Sequence, residues 1–371
     1  MSVYRFITRD NFSAKARDIQ VPRNTVNWVM PPPSRQSGGH INIFRFILGL
    51  EARGFDCRVV VCNDGMLNPK KVDTQQLKSN IDDWFGSFKG SVYALEDMPP
   101  AMITMATGWQ TAYSVKQFKS TVHKGYFVQD FEPSFYPSGA EQSFSENTYK
   151  FGFMGFTAGG WLADKLKAEY GMKTFPLSFS YDKKLYKPIE MNDASIEHLL
   201  CYVRPETIRR GWDAVNLALE MLHEQRPDLR FILVGGYVDT TTLRYPAFNP
   251  GSVRVEELAN LYSQCRAALI LSCTNLSLLP LEVMACGVPV VTNRGKNVEW
   301  LLDSDTVKMA DMDPIMLKNA VLEILDLDQQ DYRRVVSRGL AFAKGTSWGR
   351  QIDKLSSILK KISEPVESAA A

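Results

Sequence analysis

The segment "TVNWVM" at 25–30, the helical run "INIFRFILGLEARG" at 41–54 and "DCRVVVC" at 56–62 form a strand–helix–strand series. A connection of that length cannot be a hairpin. It forces the two strands to pair in parallel, with a right-handed crossover. A parallel sheet is buried on both faces, so one such unit commits the chain to more strands and to helices covering both sides. The sequence supplies them. Strand candidates follow at "SVYAL", "AMITMAT", "KGYFVQD" and "KFGFMGFT", then a helix opened by a glycine pair, "AGGWLADKLKAEYGM", and the strand "KTFPLSFS".

The pattern breaks at "YDKKLYKPIEMNDASIE", residues 181–197, where proline, polar residues and charge point to an inter-domain linker. A second series begins beyond it. "LLCYV", "GWDAVNLALEMLHEQ", "LRFILVGG", "VEELANLYSQC", "AALILS", "LPLEVMACG" and "VPVVTN" alternate strand and helix, and helices finish the chain. At 371 residues the length exceeds what one core supports. The expectation is α/β, with two doubly wound Rossmann-like domains facing each other across a deep cleft. Residues 1–185 form the first and 186–345 the second. A closing segment, 346–371, crosses back to the first domain and ends in the frayed tail "ESAAA". Its helix "SWGRQIDKLSSILKKI" sets Trp348, Ile352, Leu355 and Ile358 on one face.

Charge excludes one large class. Lys plus Arg total 43 against 41 Asp plus Glu, too even for the positive field that holds nucleic acid. Cys57, Cys62, Cys201, Cys265, Cys273 and Cys286 form no CxxC pair, and four lie in apolar runs, as reduced thiols of a cytoplasmic protein do. No stretch is apolar enough to span a bilayer. "VHKGYF" and "SFKGSVY" are basic-aromatic, the character of a peripheral membrane contact, but they hold too few lysines for a polybasic patch.

In open parallel sheets ligands bind beyond the carboxyl ends of the strands. There the chain places "SGGH" at 37–40, after the first strand. Gly38 and Gly39 let backbone approach a ligand, a helix N-terminus attracts anions, and His40 adjoins both; the plainer reading is a tight turn. After the first strand of the second series come Arg204, Arg209 and Arg210, which can converge on a diphosphate or pair with Glu206 and Asp213. Glu282 lies in an apolar helix, where a lone carboxylate is costly without a partner. "FVQDFEP" supplies Asp130 and Glu132; Asp130 can orient or deprotonate a hydroxyl, or merely cap its loop. "DMD" at 311–313 and "DLD" at 326–328 mimic a metal-binding string but read as helix caps. No metal site is assigned.

"YVRPETIRRG", "LRFILVGG", "VEELANLYSQCRAALILS" and "LEVMACGVPVVTN" resemble the nucleotide-binding half of family 4 glycosyltransferases with the two-domain GT-B fold. The stretches "PPPSRQSGGHINIFRFILGLEARGFDCRVVV" and "GYFVQDFEPSFYP" are similar to a narrower group, the WsaF-type bacterial rhamnosyltransferases. The resemblance implies hexosyl transfer, with retention, from a nucleotide-sugar, TDP-L-rhamnose in that group, to a saccharide or lipid-linked saccharide, without cofactor. It implies diphosphate contacts at Arg204 and Arg210, with Arg209 as alternative, and a ribose contact at Glu282. Gly38 and Gly39 match a glycine loop facing the donor, while Tyr237 and the loop beginning at Val253 fall near the nucleobase. The chain departs from the pattern in carrying Thr274 where a glutamate is usual, and Ser277 and Leu278 in the turn that contacts donor phosphates. Two other readings share the architecture: a non-hydrolysing sugar-nucleotide epimerase, and a non-catalytic subunit that binds a nucleotide-sugar.

Overall fold

The structure is a computed structural model describing residues 3–8, 20–35, 37–63, 71–189, 197–251 and 253–364. The N-terminal stretch at 9–19, the end of the expected linker at 190–196 and the closing tail lie outside the described residues. The chain divides into two compact units: Met1–Leu177 with Gly349–Ala371, and Ser178–Trp348.

Unit 1 is built on β1 (Thr25–Met30), β2 (Asp56–Val61), β3 (Val92–Ala94), β4 (Ala101–Ala106), β5 (Thr121–Val128), β6 (Met154–Ala158) and β7 (Lys173–Leu177). They form one sheet in the order β3-β2-β1-β4-β5-β6-β7. Every pairing is parallel. All six residues of β1 and of β4 are buried, as two-sided cover requires. Its helices are α1 (Gly38–Glu51), α2 (Thr74–Phe85), α3 (Trp109–Gln117), α4 (Ala140–Asn147) and α5 (Gly160–Tyr170). The polar sequences of α2 and α4 hid them from pattern reading; each buries a single residue, Ile81 and Ser145.

Unit 2 contains β8 (His198–Tyr202), β9 (Arg230–Val234), β10 (Ala247–Phe248), β11 (Ala267–Leu269), β12 (Val290–Asn293) and β13 (Lys308–Ala310). They are ordered β10-β9-β8-β11-β12-β13, again all parallel. Here α6 (Trp212–Gln225), α7 (Val255–Ser263), α8 (Leu279–Ala285), α9 (Lys296–Glu299), α10 (Pro314–Leu325) and α11 (Gln329–Gly345) surround the sheet. One face is sealed by Val215, Leu219 and Leu222 of α6 with Leu317 and Val321 of α10, packed in one core with Cys201, Phe231 and Leu269 of the strands. Strand order reverses between β1 and β4 in unit 1 and between β8 and β11 in unit 2. In open parallel sheets such reversal points are where ligand crevices form.

The last helix, α12 (Trp348–Ser363), corrects the expected face by one position. Ile352, Leu355, Ser356, Leu359 and Ser363 are buried, and Ile358 is only half-buried. From Gly349 onward it belongs to unit 1. Lys354 Nζ donates to Pro176 O at 2.7 Å, and Arg53 holds Asp353 at 2.7 Å. It also packs tightly on α1: a Cβ on Gly49 would fall 2.5 Å from Ile352 Cδ1 and 2.8 Å from Cγ2. Phe46 of α1 faces the sheet instead, edge-on to Phe127 of β5 with ring centroids 5.2 Å apart. Gly49→Ala should therefore destabilise unit 1 by about 1–3 kcal/mol in urea unfolding through overpacking, with Ile352→Val on that background recovering part of the loss.

Candidate functional site

In unit 2, β8 ends at Tyr202 and the chain passes over the reversal point. Thr207 N donates to Arg204 O at 2.9 Å, and a single 3-10 turn, Ile208–Arg210, leads through Gly211 into α6. The turn is tied sideways: Cys273 N, in the loop after β11, donates to Arg209 O at 2.9 Å. The backbone that carries the arginines is thus fastened to the neighbouring strand's exit loop.

Two of the guanidinium groups have defined seats. Arg204 Nε donates to Gly235 O, after β9, at 3.0 Å, and lies 3.7 Å from Glu206 Oε1. The Glu206 half of the expected salt bridge is present, but both side chains are well exposed, so the pair contributes little and yields to a stronger anion. Arg210 Nη1 donates to Ser272 Oγ at 3.1 Å, and its guanidinium sits 5.7 Å from the Tyr202 ring centroid. Its Nε is buried with no hydrogen-bond partner among the described residues. A buried donor on a fixed cation is what an incoming phosphate oxygen would satisfy.

The β11–α8 loop facing these groups is rigid, for reasons sequence reading missed. Ser272 N donates to Asn293 Oδ1 at 2.8 Å, and Asn293 Nδ2 returns a bond to Ser272 O at 3.0 Å. Asn297 Nδ2 reaches Ser272 O and Thr274 O, and Trp300 Nε1 donates to Asn275 Oδ1 at 3.0 Å. The signal was available: two asparagines four apart after a buried strand have little reason to be there except to hold a backbone. Thr274 is buried at the centre of this mesh, while Ser277 and Leu278 are half-buried where α8 begins. Glu282 sits half-buried in the first turn of α8. Burial, with the nearby Glu282 carboxylate adding to it, pushes the Tyr186 phenol pKa up. Tyr237 is 77% exposed after Gly236, and Val253 is half-buried before α7. No hydrogen bond or ring contact among the described residues brings either to the arginines.

In unit 1, Ser37 caps α1 by accepting from His40 N at 3.3 Å. His40 Nδ1 accepts from Ser34 N at 3.2 Å, which leaves the ring proton on Nε2, and burial lowers its pKa. Gly38 and Gly39 form the first turn of α1, and the Gln129 amide lies against Gly39. Asn42 Nδ2 donates to Gln129 Oε1 at 3.1 Å, so this residue after β5, unnoticed in the sequence, joins the glycine turn to the segment carrying Asp130. Asp130 Oδ1 accepts from Phe131 N at 2.8 Å, the loop-capping bond weighed against a role as base.

The adjacent Glu132 is the more perturbed acid. Its carboxylate accepts from Tyr126 Oη at 2.6 Å and from Trp109 N, at the start of α3, at 2.9 Å. Burial pushes its pKa up to about 7, while those two donors oppose the rise and Asp130 adds to it. A carboxyl with a raised folded-state pKa stabilises the fold when protonated. That stability is whole below the ordinary value of 4.5 and is lost as pH rises through about 7. Glu132→Gln should flatten the fall in melting temperature across that window; an unchanged slope would show that other groups set it. The strings at 311–313 and 326–328 resolve into caps: Asp313 accepts from Ile315 N and Met316 N, and Asp328 from Asp331 N. No helix among the described residues is long and apolar enough to cross a membrane.

Comparison with known proteins agrees with this geometry. Residues 197–322 match the family described as WsaF, C-terminal domain, a stretch that contains all three arginines and Glu282. The O-antigen biosynthesis protein RfbC of Myxococcus xanthus is 29% identical over 289 residues, covering 75% of this chain and 22% of its own length. The chain thus spans under a quarter of that relative. Among solved structures, HepE of Anabaena in complex with UDP and glucose superposes with a TM-score of 0.70 at 13% identity, over 91% of this chain and 99% of that one. Sucrose-phosphate synthase from Thermosynechococcus elongatus gives 0.69 at 14%, with the same coverage. Residues 197–322 are thus similar to a WsaF C-terminal domain, in a chain with the two-domain GT-B fold of glycosyltransferases.

Proposed function

We propose that the chain is a nucleotide-sugar-dependent glycosyltransferase of bacterial surface polysaccharide assembly, transferring a hexose, specifically L-rhamnose from TDP-L-rhamnose, to a saccharide hydroxyl. The observation that carries this reading is the seating of Arg204 and Arg210 at the carboxyl ends of β8, β9 and β11, inside the matched WsaF domain. A relative described as an O-antigen biosynthesis protein and a same-fold structure holding UDP and glucose support it.

In this reading the sugar–phosphate bond breaks as the guanidinium groups take up the charge growing on the departing diphosphate. They are permanently ionised and already oriented, so they supply the charge a divalent ion supplies elsewhere and no metal is needed. Glu282 takes the hydroxyls of the nucleoside sugar. Gly38, Gly39, His40 and Asp130 are the residues of unit 1 assigned a part in substrate binding. The departing phosphate then removes that hydroxyl's proton on the face it leaves, which retains the anomeric configuration. The acceptor is a saccharide, free or lipid-linked, at the cytoplasmic face of the membrane.

Thermal-shift measurements with TDP, UDP, GDP and ADP in the presence of EDTA test the site. One nucleotide should stabilise the chain by about 2–3 kcal/mol at a hundredfold excess over its dissociation constant. Stabilisation by none would remove the reading. Incubating TDP-L-rhamnose with a saccharide acceptor and reading the product anomer by NMR then tests sugar and stereochemistry. A new nucleotide-sugar formed without acceptor would instead identify an epimerase.

A further inference from the structure

Beside the arginine turn, the pairing of β11 with β12 runs on past the end of β11. Ala268 N donates to Pro289 O and Ile270 N to Val291 O, both at 2.9 Å. Two residues further along each chain the next rung joins Ser272 to Asn293, but its acceptor has changed. Ser272 N donates to the side-chain Oδ1 of Asn293 at 2.8 Å, and Asn293 Nδ2 donates back to Ser272 O at 3.0 Å. Asn293 is 3% exposed and Ser272 2%, so water does not compete for either bond. An asparagine side chain takes the place of main chain here and holds Ser272 through both its N–H and its carbonyl.

The residue so held is the one that meets Arg210. Ser272 Oγ donates its proton to Asn275 O at 2.8 Å and accepts from Arg210 Nη1 at 3.1 Å. The next residue, Cys273, donates its N–H to Arg209 O. An ordinary rung of a parallel ladder needs no particular side chain, whereas this one needs an amide, with acceptor and donor side by side. A guanidinium on a long side chain stays preorganised only while the group that seats it is itself fixed. We propose that Ser272 and Asn293 are positioning residues for diphosphate recognition: the Asn293 amide fixes Ser272, and the Ser272 hydroxyl orients Arg210. This deepens the function proposed above and rests on its placing of a nucleotide diphosphate at Arg210.

The test is calorimetry with whichever of TDP, UDP, GDP and ADP binds the wild-type chain most tightly, and ligand-detected NMR with the corresponding nucleoside. The variants are Ser272→Ala, Asn293→Ala and each of them combined with Arg210→Ala. Ser272→Ala removes only a hydroxyl, so it answers the question even if Asn293→Ala fails to fold. Each single variant should bind the diphosphate about tenfold more weakly, the scale of one hydrogen bond to a charged group, and the nucleoside as the wild-type chain does. On the Arg210→Ala background neither should weaken binding further. Equal losses for diphosphate and nucleoside would mark the rung as purely structural and overturn the inference. So would a loss that adds in full to that of Arg210→Ala, or no loss at all. Failure of the wild-type chain to bind any of the four nucleotides would instead overturn the nucleotide-site reading, and this inference with it.

Discussion

Arg210→Ala is expected to slow sugar transfer by about 10²–10³-fold, the usual consequence of removing one preorganised group that meets developing charge. Arg210 is singled out because its guanidinium is placed before any ligand arrives. Ser272 Oγ takes Nη1, the Tyr202 ring lies beneath, and Nε is left buried with no hydrogen-bond partner among the described residues. Filling that donor with a phosphate oxygen is favourable in the ground state and more so as the diphosphate gains charge. Arg210→Lys should rescue little, because an ammonium can meet Ser272 or a phosphate but cannot present two parallel donors. Turnover at saturating donor is the deciding measurement, with the melting temperature as control. A variant that loses stability but keeps its turnover would place Arg210 in the fold and outside the reaction.

Gly235→Ala should be the most damaging single methyl in unit 2. Gly235 follows β9 with φ at +109°, a backbone region alanine adopts only under strain. Its Cβ would fall 2.4 Å from Tyr202 Cε2 and 3.0 Å from Val203 O. Strain of about 1–2 kcal/mol and overpacking of about 1–3 kcal/mol together predict a loss of about 2–5 kcal/mol in denaturant unfolding. The effect should also reach the chemistry. The ring that must move is the one under Arg210, and the Gly235 carbonyl is the one that holds Arg204. Tyr202→Leu in the same chain should relieve the overpacking and leave the strain, recovering about half of the stability. Full recovery would show that backbone conformation at 235 is unimportant.

Why some of this was legible in the sequence and some was not follows from the physics of each part. Strands buried on both faces announce themselves as mostly apolar runs, so β1, β4 and β8 are plain, and with them the parallel sheets. Helices such as α2 and α4 bury almost nothing and leave no period to find. The arginines were visible because charge at a strand exit is unusual. The mesh around Asn293 and Asn297 was harder to see, because their amides bond to main chain and main chain carries no letter. Tyr186 was missed for a related reason. A tyrosine between lysines and a proline looks like a solvated connection until the ring beneath it is seen. The face of α12 was misplaced by one residue because Ile358 and Leu359 are equally apolar and only packing chooses between them.

The helix that docks on Gly49 sets an order of events on the ribosome. Unit 2 is one continuous stretch, Ser178–Trp348, and has everything it needs to fold once that stretch has emerged. The first unit begins sooner but stays open along α1 until Gly349–Ser363 is translated, because Ile352 in that segment packs over Gly49. Domains made early normally finish early. In this chain the half synthesised first is completed last, and a stalled or truncated product would carry a finished second half beside an apolar groove awaiting its final helix.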